Sequence, residues 1–153
     1  GQTISQPYIV ARMLESLALK PADKVLEVGT GSGYLTALLA ELTTQVVSLE
    51  RHASLALAAT ELLSRMGYGN VRVIIGDGRQ GFAGSAPYDA IIVSAAASEV
   101  PPALLDQLAE GGRMIIPIGS SDSQQLELVR MENSEPRISW HELCRFVPLV
   151  AGE

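Results

Sequence analysis

The run Val25-Leu26-Glu27-Val28-Gly29-Thr30-Gly31-Ser32-Gly33 constrains this chain more than any other stretch of it. It reads as a buried strand that ends in alternating glycines and runs into a helix. Glycine has no Cβ and tolerates positive φ, so such a turn brings bare backbone close to a ligand. In an open α/β sheet, ligands sit at this carboxyl edge of the strands. The spacing therefore predicts a nucleotide-like cofactor lying over Gly29 to Gly33.

Periodicity predicts what surrounds that turn. A first helix starts at Pro7, since proline is favoured in a first helical turn, and Ile9, Val10, Met13, Leu14 and Leu17 give it one apolar stripe. Strand one is Lys24 to Val28. A helix with Leu35, Leu38, Leu39 and Leu42 follows, then strand two, Gln45 to Leu49. His52 to Met66 is helical, with Leu55, Ala59, Leu62, Leu63 and Met66 at helical spacing, and Gly67 ends it. Strands three, four and five are Val71 to Ile75, Asp89 to Val93 and Arg113 to Ile118, with a short helix at Pro101 to Leu108 closed by Glu110-Gly111-Gly112. Two more strands, Gln125 to Met131 and Leu143 to Val147, are joined by the polar stretch Glu132 to Arg137, too short for a crossover helix, so they pair antiparallel. Helices alternating with strands one to five predict a parallel sheet with right-handed crossovers.

Composition sets the class. A chain of 153 residues, 47 % hydrophobic and 18 % charged, is long enough for one domain with a real core. Its longest uncharged stretch, Val28 to Ala40, is too short to cross a bilayer, and Gly1-Gln2-Thr3 opens no signal peptide, so no membrane partner is expected. A lone Cys144 forms no internal disulfide and fits a reducing, cytoplasmic setting, where it reads as a small apolar residue. The net charge of −6, without a Lys/Arg cluster, argues against nucleic acid, which needs a basic footprint. A monomer is expected.

Several cofactors use a glycine-rich turn. The nicotinamide and flavin fingerprint needs a small residue where Tyr34 or Thr36 stands, and no Gly-Lys-Ser/Thr follows for a P-loop. What remains is an acid two residues before the first glycine. Glu27 suits a cofactor with a cationic amino-acid end; its other reading is a carboxylate paired to a local base or backbone donor, because an acid in an apolar strand is costly alone. Glu50, at the end of strand two, is spaced to accept from ribose hydroxyls, or is a surface acid beside Arg51. Asp77 in Gly76-Asp77-Gly78 can accept from an adenine amino group while Gly78 lies against the ring, or the triplet is a plain turn. Three acids on one edge of the sheet favour an adenosyl cofactor, S-adenosylmethionine.

These residues resemble a known family. Nearly the whole chain is similar to the protein-L-isoaspartate (D-aspartate) O-methyltransferases: Gly1-Gln2-Thr3-Ile4-Ser5-Gln6-Pro7-Tyr8, Val25 to Tyr34, Gly76-Asp77-Gly78, Ala86 to Val93, Gln107 to Arg113, and Phe146-Val147-Pro148-Leu149. The resemblance implies a Rossmann-like, class I S-adenosylmethionine-dependent methyltransferase fold, with a mostly parallel seven-stranded sheet, helices on both faces and an antiparallel C-terminal strand. It implies one domain, residues 1–153, without the family's N-terminal helical region. The implied reaction moves a methyl group from S-adenosylmethionine to the α-carboxylate of an isoaspartyl residue, leaving S-adenosylhomocysteine; the ester then collapses to a succinimide that partly hydrolyses to aspartate. In this resemblance Ser5 is the active-site residue. Gln2, Thr3, Ile4, Ser5, Glu27, Gly29, Thr30, Gly31, Gly33, Glu50, Arg51, Asp77 and Gly78 hold the cofactor, and Thr3, Ser5, Val147, Pro148 and Leu149 meet the substrate. No metal is implied.

The chemistry suits a chain with only His52 and His141, neither in a catalytic dyad. A carboxylate with a pKa near ~3.5 is already ionised at neutral pH, so no general base is needed, and the enzyme's task is positioning. Thr3 and Ser5 precede a helix start whose dipole attracts an anion; alternatively Ser5 is a helix cap. Two rival readings stay open: the same fold acting on another substrate, and a non-catalytic module that binds the cofactor or aged peptides.

Overall fold

The computed structural model describes residues 6–151. A single seven-stranded sheet in the order β3-β2-β1-β4-β5-β6-β7 organises them. In chain order its strands are β1 (Lys24–Val28), β2 (Gln45–Glu50), β3 (Val71–Ile75), β4 (Tyr88–Val93), β5 (Leu108–Gly119), β6 (Gln124–Glu132) and β7 (Glu135–Cys144). The first five are parallel; β6 runs antiparallel to both of its neighbours. Strand order reverses between β1 and β4, which opens a crevice beyond the end of β1 where such folds take ligands.

The helices are α1 (Pro7–Leu17), α2 (Tyr34–Leu42), α3 (Ala53–Arg65) and the short α4 (Pro102–Asp106). Proline stands in the first turn of α1, whose stripe buries Val10, Met13 and Leu17, each worth about 1.5–3 kcal/mol on removal from water. Those side chains join Leu35 and Leu39 of α2 over Val25, Ala90, Ile92 and Leu128 on one face of the sheet. On the other face, Leu104 of α4 and Phe82 cover Leu26, Ile91, Met114 and Ile116.

Three expectations need correction. The last strand is Glu135–Cys144, not Leu143 to Val147. It forms a hairpin with β6 across Asn133 and Ser134, both at positive φ, and as an edge strand it buries none of its side chains. Strand five starts at Leu108, and the Glu110-Gly111-Gly112 turn is a break in the β4–β5 register rather than the end of a helix. The apolar face of α3 is Ala56, Ala59 and Leu63, while Leu62 and Met66 are exposed; the small Ala59 lets the helix lie close to Gly33.

Candidate cofactor cleft

β1 delivers the glycine turn to the crevice, and β2 anchors it. Gly29 and Thr30 both donate their backbone N–H to the Leu49 carbonyl, at 2.8 and 3.1 Å. Gly29, Gly31 and Gly33 all have positive φ, which only glycine adopts without strain. A Cβ on Gly31 would meet nothing within 4 Å, so this backbone borders open space. The cavity it borders has a volume of about 460 Å³, with Gly29 to Ser32, Glu50, Gly78, Ser94 and Pro148 among its walls.

Glu50 closes the β2 side. It is buried, and its carboxylate accepts from the Gly31 N–H at 2.8 Å and the His52 N–H at 3.0 Å. Two oxygens offer about four lone-pair sites, so acceptor capacity remains for hydroxyls of a ligand. Arg51 also lines the cavity, with a buried Nε that lacks a partner among the described residues.

Beyond β3, Asp77 accepts from the Arg79 N–H at 2.9 Å and caps a short 3-10 turn, Gly78–Gln80. Gly78 packs so tightly that a Cβ there would collide with Val28 Cγ1; the bare backbone is what leaves a flat wall. Next to Gly78, whose Cβ would lie 3.5 Å from Leu149 Cδ1, runs a strap, residues 146–149, folded back over the loop after β4. The Ala96 N–H donates to the Val147 carbonyl at 2.8 Å and the Leu149 N–H to the Ala96 carbonyl at 2.7 Å. Gln124 holds its start, accepting from the Phe146 N–H at 2.7 Å.

Glu27 is not on the cleft wall. It points to the α1–α2 face of the sheet, fully buried, where its Oε1 accepts from the Thr36 and Ser48 hydroxyls, each at 2.5 Å. Alternation along β1 explains this: Val28, the next residue, is the one that lines the cavity. Burial pushes the Glu27 carboxyl up to about 7, with the two hydroxyl bonds pulling down and the Glu50 charge adding to the rise. Ser48 and Thr36 were not foreseen, although a serine inside Val46-Val47-Ser48-Leu49 is a polar group that needs a reason to be there.

Gln2, Thr3, Ile4 and Ser5 lie outside the described residues. The N-cap of α1 is Gln6, which forms no side-chain cap bond. Gly29, Thr30, Gly31, Glu50, Arg51, Gly78, Val147, Pro148 and Leu149 all meet at one cavity. Among the described residues no cluster of His, Cys, Asp and Glu could hold a metal, and no helix is long and apolar enough to cross a membrane.

Sheet order, glycine turn and cleft define a Rossmann-like methyltransferase domain of the S-adenosylmethionine-dependent class. A solved protein-L-isoaspartate O-methyltransferase superposes on 96 % of this chain with a TM-score of 0.89 at 33 % identity, and this chain spans 48 % of that longer one. A Plasmodium falciparum protein, described as a protein-L-isoaspartate O-methyltransferase and solved with S-adenosyl-L-homocysteine, gives a TM-score of 0.85 at 32 % identity over 98 % of this chain and 77 % of its own. The Koribacter versatilis protein-L-isoaspartate O-methyltransferase is 56 % identical over all of this chain and 69 % of its own length. The profile of the protein-L-isoaspartate(D-aspartate) O-methyltransferase family matches residues 1–153, and the chain belongs to that family.

Proposed function

We propose that this protein transfers a methyl group from S-adenosylmethionine to the α-carboxylate of L-isoaspartyl residues in damaged proteins. The observation that carries the reading is a cavity on which the glycine turn, Glu50, Gly78 and the strap converge. Its residues fit an adenosyl group: Gly31 borders open space, Glu50 keeps spare lone pairs, and Gly78 admits nothing larger than hydrogen. When bound, S-adenosylmethionine supplies an electrophilic methyl group on a sulfonium.

The chain's own part is to bind, orient and exclude water. Gly29 to Ser32 present backbone to the amino-acid end, Glu50 with Arg51 takes the ribose region, and Asp77 with Gly78 takes the base. Pro148 and Leu149 screen the cleft from solvent and offer a wall to the substrate polypeptide. The first turn of α1 carries no acidic residue and no side-chain cap from Gln6, which leaves a helix start attractive to an anion. Ser5 and Thr3, just before it, orient the carboxylate. That nucleophile is ionised at neutral pH, so no residue has to remove a proton. Positioning two reactants in line is worth roughly 7–11 kcal/mol.

The same reading has the protein working as a cytoplasmic monomer without nucleic-acid or membrane partners; the net charge of −6 weighs against nucleic acid, and a single free cysteine suits a reducing compartment. Methyl-ester formation on paired peptides, one isoaspartyl and one aspartyl, tests it. Selective esterification of the isoaspartyl peptide is expected. Equal esterification would move the protein to another substrate, and inertness towards both with donor binding intact would leave a binding module.

A further inference from the structure

Ser48 is a fully buried hydroxyl in the middle of β2, where every neighbouring side chain is buried too. Such a group costs free energy unless it is bonded, and this one is bonded on both sides. It donates to Glu27 Oε1 at 2.5 Å and lies 2.5 Å from Thr30 Oγ1. Its one hydrogen is spent on the carboxylate, so towards Thr30 it can only accept. With Glu27 ionised, the sense of the chain is fixed: Thr30 donates to Ser48, Ser48 donates to Glu27, and Thr36 from α2 donates to the same carboxylate oxygen.

Thr30 belongs to the glycine turn and lines the cavity. Its backbone N–H is held by Leu49 and its carbonyl by the Gly33 N–H at 2.9 Å; the hydroxyl relay fixes its side chain. One carboxylate on β1 thus ties together β2, the start of α2 and the turn between β1 and α2. None of these groups except Thr30 reaches the cavity.

We propose that Ser48 is a positioning residue of the cofactor site, acting through Thr30 and anchored on Glu27, which holds the glycine turn in its ligand-binding form. The proposal rests on the reading that the cleft takes S-adenosylmethionine. The charged neighbour that faces Glu27 is Glu50 on β2, whose like charge, with burial, favours the protonated acid, while the two hydroxyl bonds favour the carboxylate. Removing Ser48 therefore takes away one of the donors that make a carboxylate tolerable there, and it releases Thr30 as well.

The test is calorimetric binding of S-adenosylhomocysteine to wild type, Ser48→Ala, Thr30→Val and Thr30→Ser, with unliganded melting curves to show that each variant is folded. Ser48→Ala and Thr30→Val are each expected to weaken binding about tenfold, and Thr30→Ser, which keeps the hydroxyl, to stay within about twofold of wild type. The double variant Ser48→Ala/Thr30→Val is expected to be no weaker than either single one, because both cut the same chain. Wild-type affinity in Thr30→Val or Ser48→Ala, or failure of Thr30→Ser to restore it, overturns the proposal; the Thr30 pair decides alone if Ser48→Ala does not fold. A wild-type protein that does not bind S-adenosylhomocysteine would remove the cofactor reading itself, a result distinct from binding that survives loss of the relay.

Discussion

A carboxylate with no exposed surface is a cost that its surroundings must offset, and Glu27 is such a group. Its carboxyl titrates at about 7 in the folded protein against an ordinary 4.5. Between those values the folded state keeps a proton that the unfolded chain has released. Stability is therefore highest below pH 4.5, falls as pH rises towards 7, and is level beyond, with a total change on the order of 3 kcal/mol. Glu27→Gln removes the titration. Urea melts at pH 5, 6, 7 and 8 should show the variant gaining on wild type up to about pH 7 and running parallel to it above; a constant gap would mean that Glu27 does not titrate in this range. The sequence made it plain that an acid inside an apolar strand needs an explanation. It could not show that the partners are Ser48 and Thr36, because that depends on strand register and on which face of α2 meets the sheet.

The β6–β7 hairpin turns on Asn133 and Ser134 at φ 53° and 62°. Two positive φ values are what a tight two-residue hairpin wants, and glycine is the usual second residue. Glu110 compensates: its two carboxylate oxygens accept from the Asn133 and Ser134 N–H groups, at 2.5 and 2.9 Å. Ser134→Gly should relieve the left-handed strain and stabilise by about 0.5–1 kcal/mol, measurable as a higher denaturant midpoint at unchanged slope. This element also marks where the sequence was least legible. Strand periodicity betrays a strand when one face is buried. The first six residues of β7 are all exposed, so no alternation appeared, and the apolar run around Val147 drew the assignment instead. The strands of the parallel half were legible because each is an apolar block bounded by turn residues, and the glycine turn at the end of β1 marked the site directly.

Stability and ligand binding occupy opposite edges of the sheet. At the amino edge, the buried Arg113 donates to the Leu17 and Ala18 carbonyls at the end of α1, to the Asp89 carbonyl, and to the Asp23 carboxylate at 2.9 Å. Arg113→Ala would leave Asp23 buried without its countercharge and the end of α1 without donors. A loss of about 3–5 kcal/mol is expected, read from chemical denaturation, with S-adenosylhomocysteine affinity unchanged in the fraction that stays folded. At the carboxyl edge, one wall of the cleft comes from residues 147–149, more than a hundred positions after the glycine turn that also lines it. Synthesis of the glycine turn precedes synthesis of that wall by more than a hundred residues. A chain interrupted between the two therefore lacks one of the segments that line the cleft.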